Sequence, residues 1–136
     1  CVPCSRAARA LVEVCGALGR WCPALGEAEW LPNAVYPFAV VYGHPLRDHG
    51  DGLACFETMV CLFGRWARGW LACWPEPPLP CLAAAERLLQ FHDDEVAAHL
   101  ARIGCPATDW AWPMLRSFLS ECLPREAYFF AARICL

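Results

Sequence analysis

Apolar residues recur at helical spacing along most of the chain. In the N-terminal segment they lie four, three and four positions apart, at Leu11, Cys15, Leu18 and Cys22. This spacing places them on one face of a helix, and Ser5 is a suitable N-cap for it. We predict that the first helix runs over residues 5–21 and that Pro23 and Gly26 end it.

The middle of the chain predicts two more helical segments separated by a loop. The first covers residues 27–41, with Pro32 in its first turn, and Pro37 should kink or break it. Residues 43–52, GHPLRDHGDG, predict a loop because they are rich in Gly, Pro and Asp. The helix after the loop has one apolar face, formed by Phe56, Met59, Val60, Phe63, Ala67, Trp70 and Trp74.

Proline positions divide the remainder. Residues 74–80, WPEPPLP, are expected to be extended, and the next helix follows over residues 80–91. Asp93 should cap a helix that stops at Gly104. A helix over residues 112–122 is predicted to start at Trp112-Pro113, with Cys122 on its apolar stripe, and Pro124 should open the last helix.

No segment alternates with the period of a β-strand, so the pattern predicts an all-α array of about six to seven helices. We expect residues 1–136 to form a single partial domain, a fragment of a larger protein. The composition agrees, because 58% of the residues are hydrophobic and only 18% are charged. That excess is typical of helices buried on more than one face or covered by the rest of a larger fold.

Charge and hydropathy exclude two function classes. The eleven basic residues are all Arg and are scattered singly, which argues against a nucleic-acid interface. The uncharged run over residues 30–43 is shorter than the roughly 20 residues that a membrane span needs. The run over residues 53–74 is long enough, but it carries Glu57, Arg65 and Arg68. We therefore predict no transmembrane segment.

Eleven cysteines allow three interpretations: reduced structural thiols, a metal site or disulfides. Only Cys1 and Cys4 form a C-x-x-C, and no second pair follows at zinc-ribbon spacing. Cys15 and Cys22 lie on an apolar stripe, where a thiol acts as a small hydrophobic group. This pattern favours reduced, buried cysteines, and we predict no metal and no cofactor.

The remaining chemical motifs have structural explanations. The run Asp93-Asp94-Glu95 is predicted to complement the positive end of a helix rather than to bind a metal. His92 and His99 lack a second His at metal-ligand spacing, so we expect core or boundary positions for them. Two P-x-x-P matches in WPEPPLP could bind an SH3-type domain, but a linker between helices is the favoured interpretation.

Three segments in the C-terminal half together resemble a known family. They are AHLARIG at residues 98–104, ATDWAWPML at 107–115 and SECLPRE at 120–126. Their order is similar to the C-terminal half of a TBC domain, the all-helical module of Rab GTPase-activating proteins. The stretches LPNAVYPF, CFETMV, QFHDDE and AWPML resemble a divergent branch of the family that also carries WD repeats. The resemblance covers nearly the whole chain and corresponds to the later two-thirds of a TBC domain.

The resemblance implies where the family's chemistry would lie. TBC domains supply an Arg that neutralises charge on the phosphates and a Gln that positions the attacking water, the latter in a Gly-Tyr-x-Gln-Gly motif. Residues 26–30 of this chain read GEAEW, so Glu27 occupies the Tyr position and Glu29 the Gln position. The Ile-x-x-Asp-x-x-Arg motif is absent from the sequence. Glu27 and Glu29 are thus degenerate finger positions, and we predict no catalytic residue.

Three hypotheses follow. The first is a catalytically degenerate TBC-like scaffold that binds proteins, with a Rab-type GTPase or a centrosomal or ciliary assembly as the partner that the resemblance implies. The second is an active Rab GTPase-activating domain whose Arg lies upstream of this sequence. The third is a Cys-rich metal or redox module. The resemblance also implies a cytoplasmic protein at the centrosome, basal body or cilium.

Overall fold

The computed structural model describes residues 2–42, 52–124 and 127–128, with side chains from residue 6 onward. Most of these residues are helical, the rest form turns and short irregular connections, and no strand is present among them, which confirms the predicted all-α class. The chain divides into two compact units, Cys1–Leu71 and Ala72–Leu136. Each unit has its own packing and is described separately.

The described residues of the first unit form four helices and most of a fifth. Their bounds are α1 Val2–Trp21, α2 Pro23–Gly26, α3 Leu31–Tyr42, α4 Gly52–Arg65 and α5 Arg68–Cys73. Helix α1 packs against α2, α3 and α4, and α3 also packs against α4. The predicted end of the first helix at Trp21 is confirmed, but α1 begins at Val2, so Ser5 is not its N-cap. Pro23 and Gly26 form the short helix α2 instead of a plain stop.

The core of the first unit is built from the apolar faces of α1, α3 and α4. Its most deeply buried large side chains are Val14, Leu18, Leu25, Val35, Met59 and Phe63. Their positions confirm the apolar faces predicted for the first helix and for the helix after the loop. The predicted loop over residues 43–52 lies outside the described residues except for Gly52.

Two predicted boundaries in this unit are wrong. Helix α3 starts at Leu31 rather than at residue 27, and it continues through Pro37 without a break. Pro37 lacks an N–H, yet it is buried together with five apolar residues of α3, so packing holds the helix together despite the missing bond. The helix predicted over the face from Phe56 to Trp74 is interrupted at Trp66 and Ala67, which separates α4 from α5.

In its described residues the second unit contains three further helices, α6 Leu79–His92, α7 Asp94–Arg102 and α8 Ala107–Arg116. Helix α6 packs against α7 and α8. The centre of this unit is small, and it consists of Leu82, Ala107 and Ala111 with partly buried Ala85, Trp110, Trp112 and Leu115 around them. The predicted stop at Gly104 is confirmed: α7 ends at Arg102, and Gly104 has φ +70°, the left-handed conformation that glycine favours after a helix.

The segment before α6 was predicted to be extended, but its first part is a turn. Residues 74–76 form a turn, in which the Glu76 N–H donates to the Cys73 carbonyl at 2.9 Å, and the Trp74–Pro75 peptide bond is cis. Leu79 then begins α6, with Pro80 in its first turn as predicted.

The prediction for α8 is wrong at both ends. The helix starts at Ala107 behind an extended Pro106, so Pro113 lies inside it, and it ends at Arg116. The early start buries Ala107 and Ala111 against Leu82, which a helix opening at Pro113 could not do.

The chain then turns sharply, since Phe118 and Leu119 have φ values of 48° and 67°. Because the helix has ended, Cys122 does not continue the predicted apolar stripe and is exposed. Of the helix predicted after Pro124, the structure describes only Ala127 and Tyr128, and the Tyr128 N–H donates to the Pro124 carbonyl at 2.9 Å.

Candidate functional site

An acidic loop, defined as residues 27–30, connects α2 to α3 in the first unit. Successive backbone hydrogen bonds hold it: the Ala28 N–H donates to the Leu25 carbonyl at 3.2 Å, and the Leu31 N–H donates to the Ala28 carbonyl at 3.0 Å. Exposed and buried positions alternate, with Glu27 and Glu29 exposed and Ala28 and Trp30 buried. The loop therefore has a defined conformation that directs both carboxylates to the surface.

Trp30 anchors the loop to the core of the first unit. Its side chain is only 7% exposed, and its ring lies 6.0 Å from that of Phe63 and 5.8 Å from that of Trp70, at interplanar angles of 53° and 76°. Tilted and edge-on pairs at these distances are favourable arrangements for aromatic rings. Sequence reasoning missed this anchor, although a Trp between Glu29 and the apolar run of α3 was the available signal.

A close backbone contact fixes the other end of the loop. Gly26, which directly precedes Glu27, approaches Gly19 of α1 so closely that a Cβ atom on Gly26 would lie 3.3 Å from the Gly19 Cα. Few Cβ atoms lie so close to a main-chain atom, so glycine at both positions favours this packing. The acidic loop is thus held by backbone contact on one side and by an aromatic cluster on the other.

Among the residues that the structure describes, no cationic side chain pairs with either carboxylate. Neither Glu27 nor Glu29 makes a side-chain hydrogen bond or an ion pair with another residue that the structure describes. Two acidic groups two residues apart on a surface loop can attract cationic groups, and they repel phosphates. A carboxylate only accepts hydrogen bonds, whereas the amide of a Gln both donates and accepts.

The acidic run in the second unit has the structural role predicted for it. Asp93 is the N-cap of α7, and its Oδ1 accepts from the Val96 N–H at 3.0 Å, while Asp94 and Glu95 occupy the first turn. These carboxylates complement the positive end of the helix.

The histidine prediction is wrong, because His92 and His99 are both exposed. His92 is the last residue of α6, at an exposed end of the helix. Its ring packs edge-on against the ring of Phe91, with the ring centroids 5.2 Å apart. Arg102 Nη2 lies 2.8 Å from His99 Nδ1, so this surface pair forms within α7 rather than with a core group.

The cysteines that the structure describes have free thiols. Burial raises the pKa of Cys15 to about 11, and burial together with the nearby Cys15 does the same for Cys55. The expectation of buried cysteines is confirmed for Cys55 and wrong for Cys61 and Cys122, which are exposed. The other described thiols, those of Cys15 and Cys22 included, are half-buried. Within the described part of the chain, no group of three or more His, Cys, Asp or Glu side chains is arranged to hold a metal ion. The described helices also include none that is long and apolar enough to cross a membrane.

Comparison with known proteins gives one consistent match. The chain is 32% identical over 120 residues to TBC1 domain family member 31 of Oryzias latipes, which covers 88% of this chain and 11% of that protein. The same protein of Xenopus tropicalis is 32% identical over 120 residues, and that of Homo sapiens is 30% identical, again over 88% of this chain. The chain spans about a tenth of the length of the curated relatives it matches, 11% for the Oryzias protein. No family model and no solved structure matches it.

Proposed function

We propose that this TBC-like chain, which is similar to a segment of TBC1 domain family member 31, is a protein-interaction module that does not accelerate GTP hydrolysis. The observation that carries the proposal is Glu29, which stands exposed on the acidic loop where the resemblance places the family's Gln. Glu27, at the family's Tyr position, adds a second exposed carboxylate two residues away.

Electrostatics oppose hydrolysis at such a loop. A carboxylate about 4 Å from a single phosphate charge is repelled by roughly 4 kcal/mol at an effective dielectric constant near 20. Catalysis of phosphoryl transfer depends on stabilising the negative charge that develops on the phosphates. Glu and Gln have nearly the same shape, so the loss of function follows from charge rather than from fit.

The proposal is tested by measuring GTP hydrolysis by a panel of Rab GTPases under multiple turnover, with and without the full-length protein. We expect no acceleration. An increase approaching the roughly 10³–10⁵-fold effect of an arginine finger would refute the proposal. A conventional TBC protein active on one member of the panel serves as the positive control.

The second candidate is a working Rab GTPase-activating domain whose Arg lies upstream of this sequence. The resemblance favours it, because the TBC family is defined by this activity. Under this candidate Glu29→Gln raises the rate of hydrolysis, whereas Glu27→Gln, which removes the same charge from the same loop, changes it much less. Equal rates for both variants and the unaltered protein, together with no Rab binding, would eliminate the candidate.

We further propose a cytoplasmic location at the centrosome or ciliary base, which rests on the resemblance alone. The full-length protein, tagged and expressed at its normal level, is expected to co-localise with a basal-body marker in ciliated cells. A diffuse distribution in both ciliated and dividing cells would contradict this location.

A further inference from the structure

Helix α7 carries apolar residues that the described part of its own unit covers only in part. None of its nine residues is buried, although the helix packs against α6. A helix that carries apolar residues on one side gains stability when a partner removes that surface from water. Binding of another surface to the apolar residues of α7 is therefore favourable.

A groove of about 310 Å³ lies along this helix, entirely within the second unit. Its apolar lining includes Leu89 of α6, Ala97 and Ala101 of α7, and Trp110 of α8. Because alanine side chains are short, another helix can approach the α7 backbone closely. Next to these alanines, the ring of Trp110 provides an apolar surface against which a large apolar side chain can pack.

The charge at the groove has one sign. Glu86 of α6 and Asp94 of α7 both line it and both are exposed, and no Arg, Lys or His lines it among the residues that the structure describes. The capping bond of α7 is made by Asp93, so the Asp94 carboxylate is not used for that bond. Two exposed carboxylates at an apolar groove are complementary to cationic side chains next to an apolar anchor.

We propose that this groove binds an amphipathic helix of a partner protein that carries Leu-type anchors flanked by Lys or Arg. The inference rests on the proposed role of the chain as an interaction module and names the partner chemistry of that role. Helix-in-groove recognition uses anchors spaced three and four residues apart, and that spacing lets one face insert while the flanking cations meet Glu86 and Asp94. The interaction is expected to weaken as salt is added, because exposed charges are screened.

The test uses the whole chain and two designed peptides of about four helical turns, one with Leu anchors and Lys flanks and one with Leu anchors and Glu flanks. Binding is measured by fluorescence anisotropy of dye-labelled peptide. We expect saturable binding of the Lys peptide and at least about tenfold weaker binding of the Glu peptide, since like charges across an interface are strongly unfavourable. Equal affinity for the two peptides, or no saturable binding of the Lys peptide, would overturn the proposal.

Matched variants locate the site. Asp94→Lys should weaken binding of the Lys peptide about tenfold, whereas Glu95→Lys makes the same charge change in the same helical turn at a residue that does not line the groove and should have a much smaller effect. Glu86→Lys, in the middle of α6, should also weaken binding of the Lys peptide, and its effect does not depend on the stability of the α7 N-terminus. Equal effects of Asp94→Lys and Glu95→Lys would show that only the net charge of the chain matters, and would refute binding of the peptide in the groove.

Filling the groove is an independent test. Ala98→Phe places a ring at a lining position, and Ala84→Phe places one at an exposed position of α6 that does not line the groove. Only the first should abolish peptide binding. If the chain self-associates in sedimentation experiments and Ala98→Phe abolishes that association, a second copy occupies the groove and the proposal is wrong. These binding measurements do not involve GTP, so they can fail while the absence of hydrolysis stands, and the converse also holds.

Discussion

Gly19 and Gly26 pack backbone to backbone where α1 meets α2. A Cβ atom on Gly19 would lie 3.1 Å from the Gly26 Cα, and one on Gly26 would lie 3.3 Å from the Gly19 Cα. Both contacts are with main-chain atoms, so no side-chain rotation can relieve them. Because Gly26 directly precedes Glu27, this contact determines where the acidic loop leaves the surface of α1.

Gly19→Ala is therefore expected to destabilise the chain. Replacing glycine in a helix by alanine normally gains about 0.5–1 kcal/mol, but overpacking typically costs about 1–3 kcal/mol. We expect a net loss of about 1 kcal/mol in the free energy of unfolding, measured by urea denaturation. Gly16→Ala is the control, because its Cβ would meet only the flexible Arg20 side chain at 3.5 Å, and it should stabilise by about 0.5–1 kcal/mol. Stabilisation by both variants would contradict the tight contact.

Local chemistry explains which elements could be predicted from the sequence. The Asp93 cap and the Gly104 stop were predictable because a capping side chain and a left-handed glycine act within one helical turn. The apolar face of α1 was predictable because its periodicity extends over several turns. The two carboxylates of the acidic loop were placed by the resemblance, and their exposure agrees with their charge.

Other features depend on residues that are distant in sequence. Helix α8 starts at Ala107 because Leu82 lies beside it, and no local signal at Trp112-Pro113 reports that contact. The left-handed backbone conformation of Phe118 likewise ends the apolar stripe, and the spacing of apolar residues in the sequence does not predict that conformation. The groove lined by Glu86 and Asp94 was missed because each carboxylate has an ordinary local explanation as a solvated helix residue.

Tyr42→Phe should weaken the link between α3 and α4. The Tyr42 hydroxyl is 2.7 Å from Thr58 Oγ1, and because Thr58 donates its own proton to the Ala54 carbonyl at 2.8 Å, Tyr42 is the donor. Loss of this bond is expected to lower the free energy of unfolding by about 0.5–1.5 kcal/mol in urea denaturation. Tyr36→Phe removes the same atom from a residue that is 55% exposed and should change the value by less than about 0.5 kcal/mol. Similar losses for the two variants would show that the link contributes nothing.

Ser117→Ala should destabilise the C-terminal end of α8. Ser117 is fully buried, and its hydroxyl lies 3.0 Å from the Pro113 carbonyl and 3.2 Å from the Met114 carbonyl. Removing the hydroxyl takes this donor from the part-buried Pro113 carbonyl, whereas the Met114 carbonyl still accepts from the Leu119 N–H at 2.7 Å, so we expect a loss of about 0.5–1.5 kcal/mol in the free energy of unfolding. Ser120→Ala, in the turn that follows, is the control and should be nearly neutral. Thermal unfolding followed by circular dichroism compares the variants, and a neutral Ser117→Ala would contradict the capping role.

The buried thiols predict a loss of stability at high pH. Burial raises the pKa of Cys15 and Cys55 from an ordinary 9.0 to about 11, so the folded state disfavours both thiolates. A folded-state pKa above the unfolded one gives a stabilisation that is fully present below pH 9 and is lost as the pH rises to about 11. We expect urea midpoints to fall over this window. Urea midpoints that stay constant between pH 9 and pH 11 would contradict the raised pKa of these two thiols.

The same burial predicts selective alkylation. In the folded chain at neutral pH, iodoacetamide should modify the exposed Cys61 and Cys122 faster than the half-buried Cys15 and the buried Cys55, and urea should accelerate the modification of the last two, because the thiolate is the reactive form and burial disfavours it. Peptide mass mapping after timed quenching distinguishes the four sites. Cys15→Ala should also remove part of the pH dependence of stability, since the charge of Cys15 contributes to the raised pKa of Cys55. Rapid labelling of Cys55 in the folded chain, or a pH dependence unaltered in Cys15→Ala, would show that these thiols are not held in the core between α1 and α4.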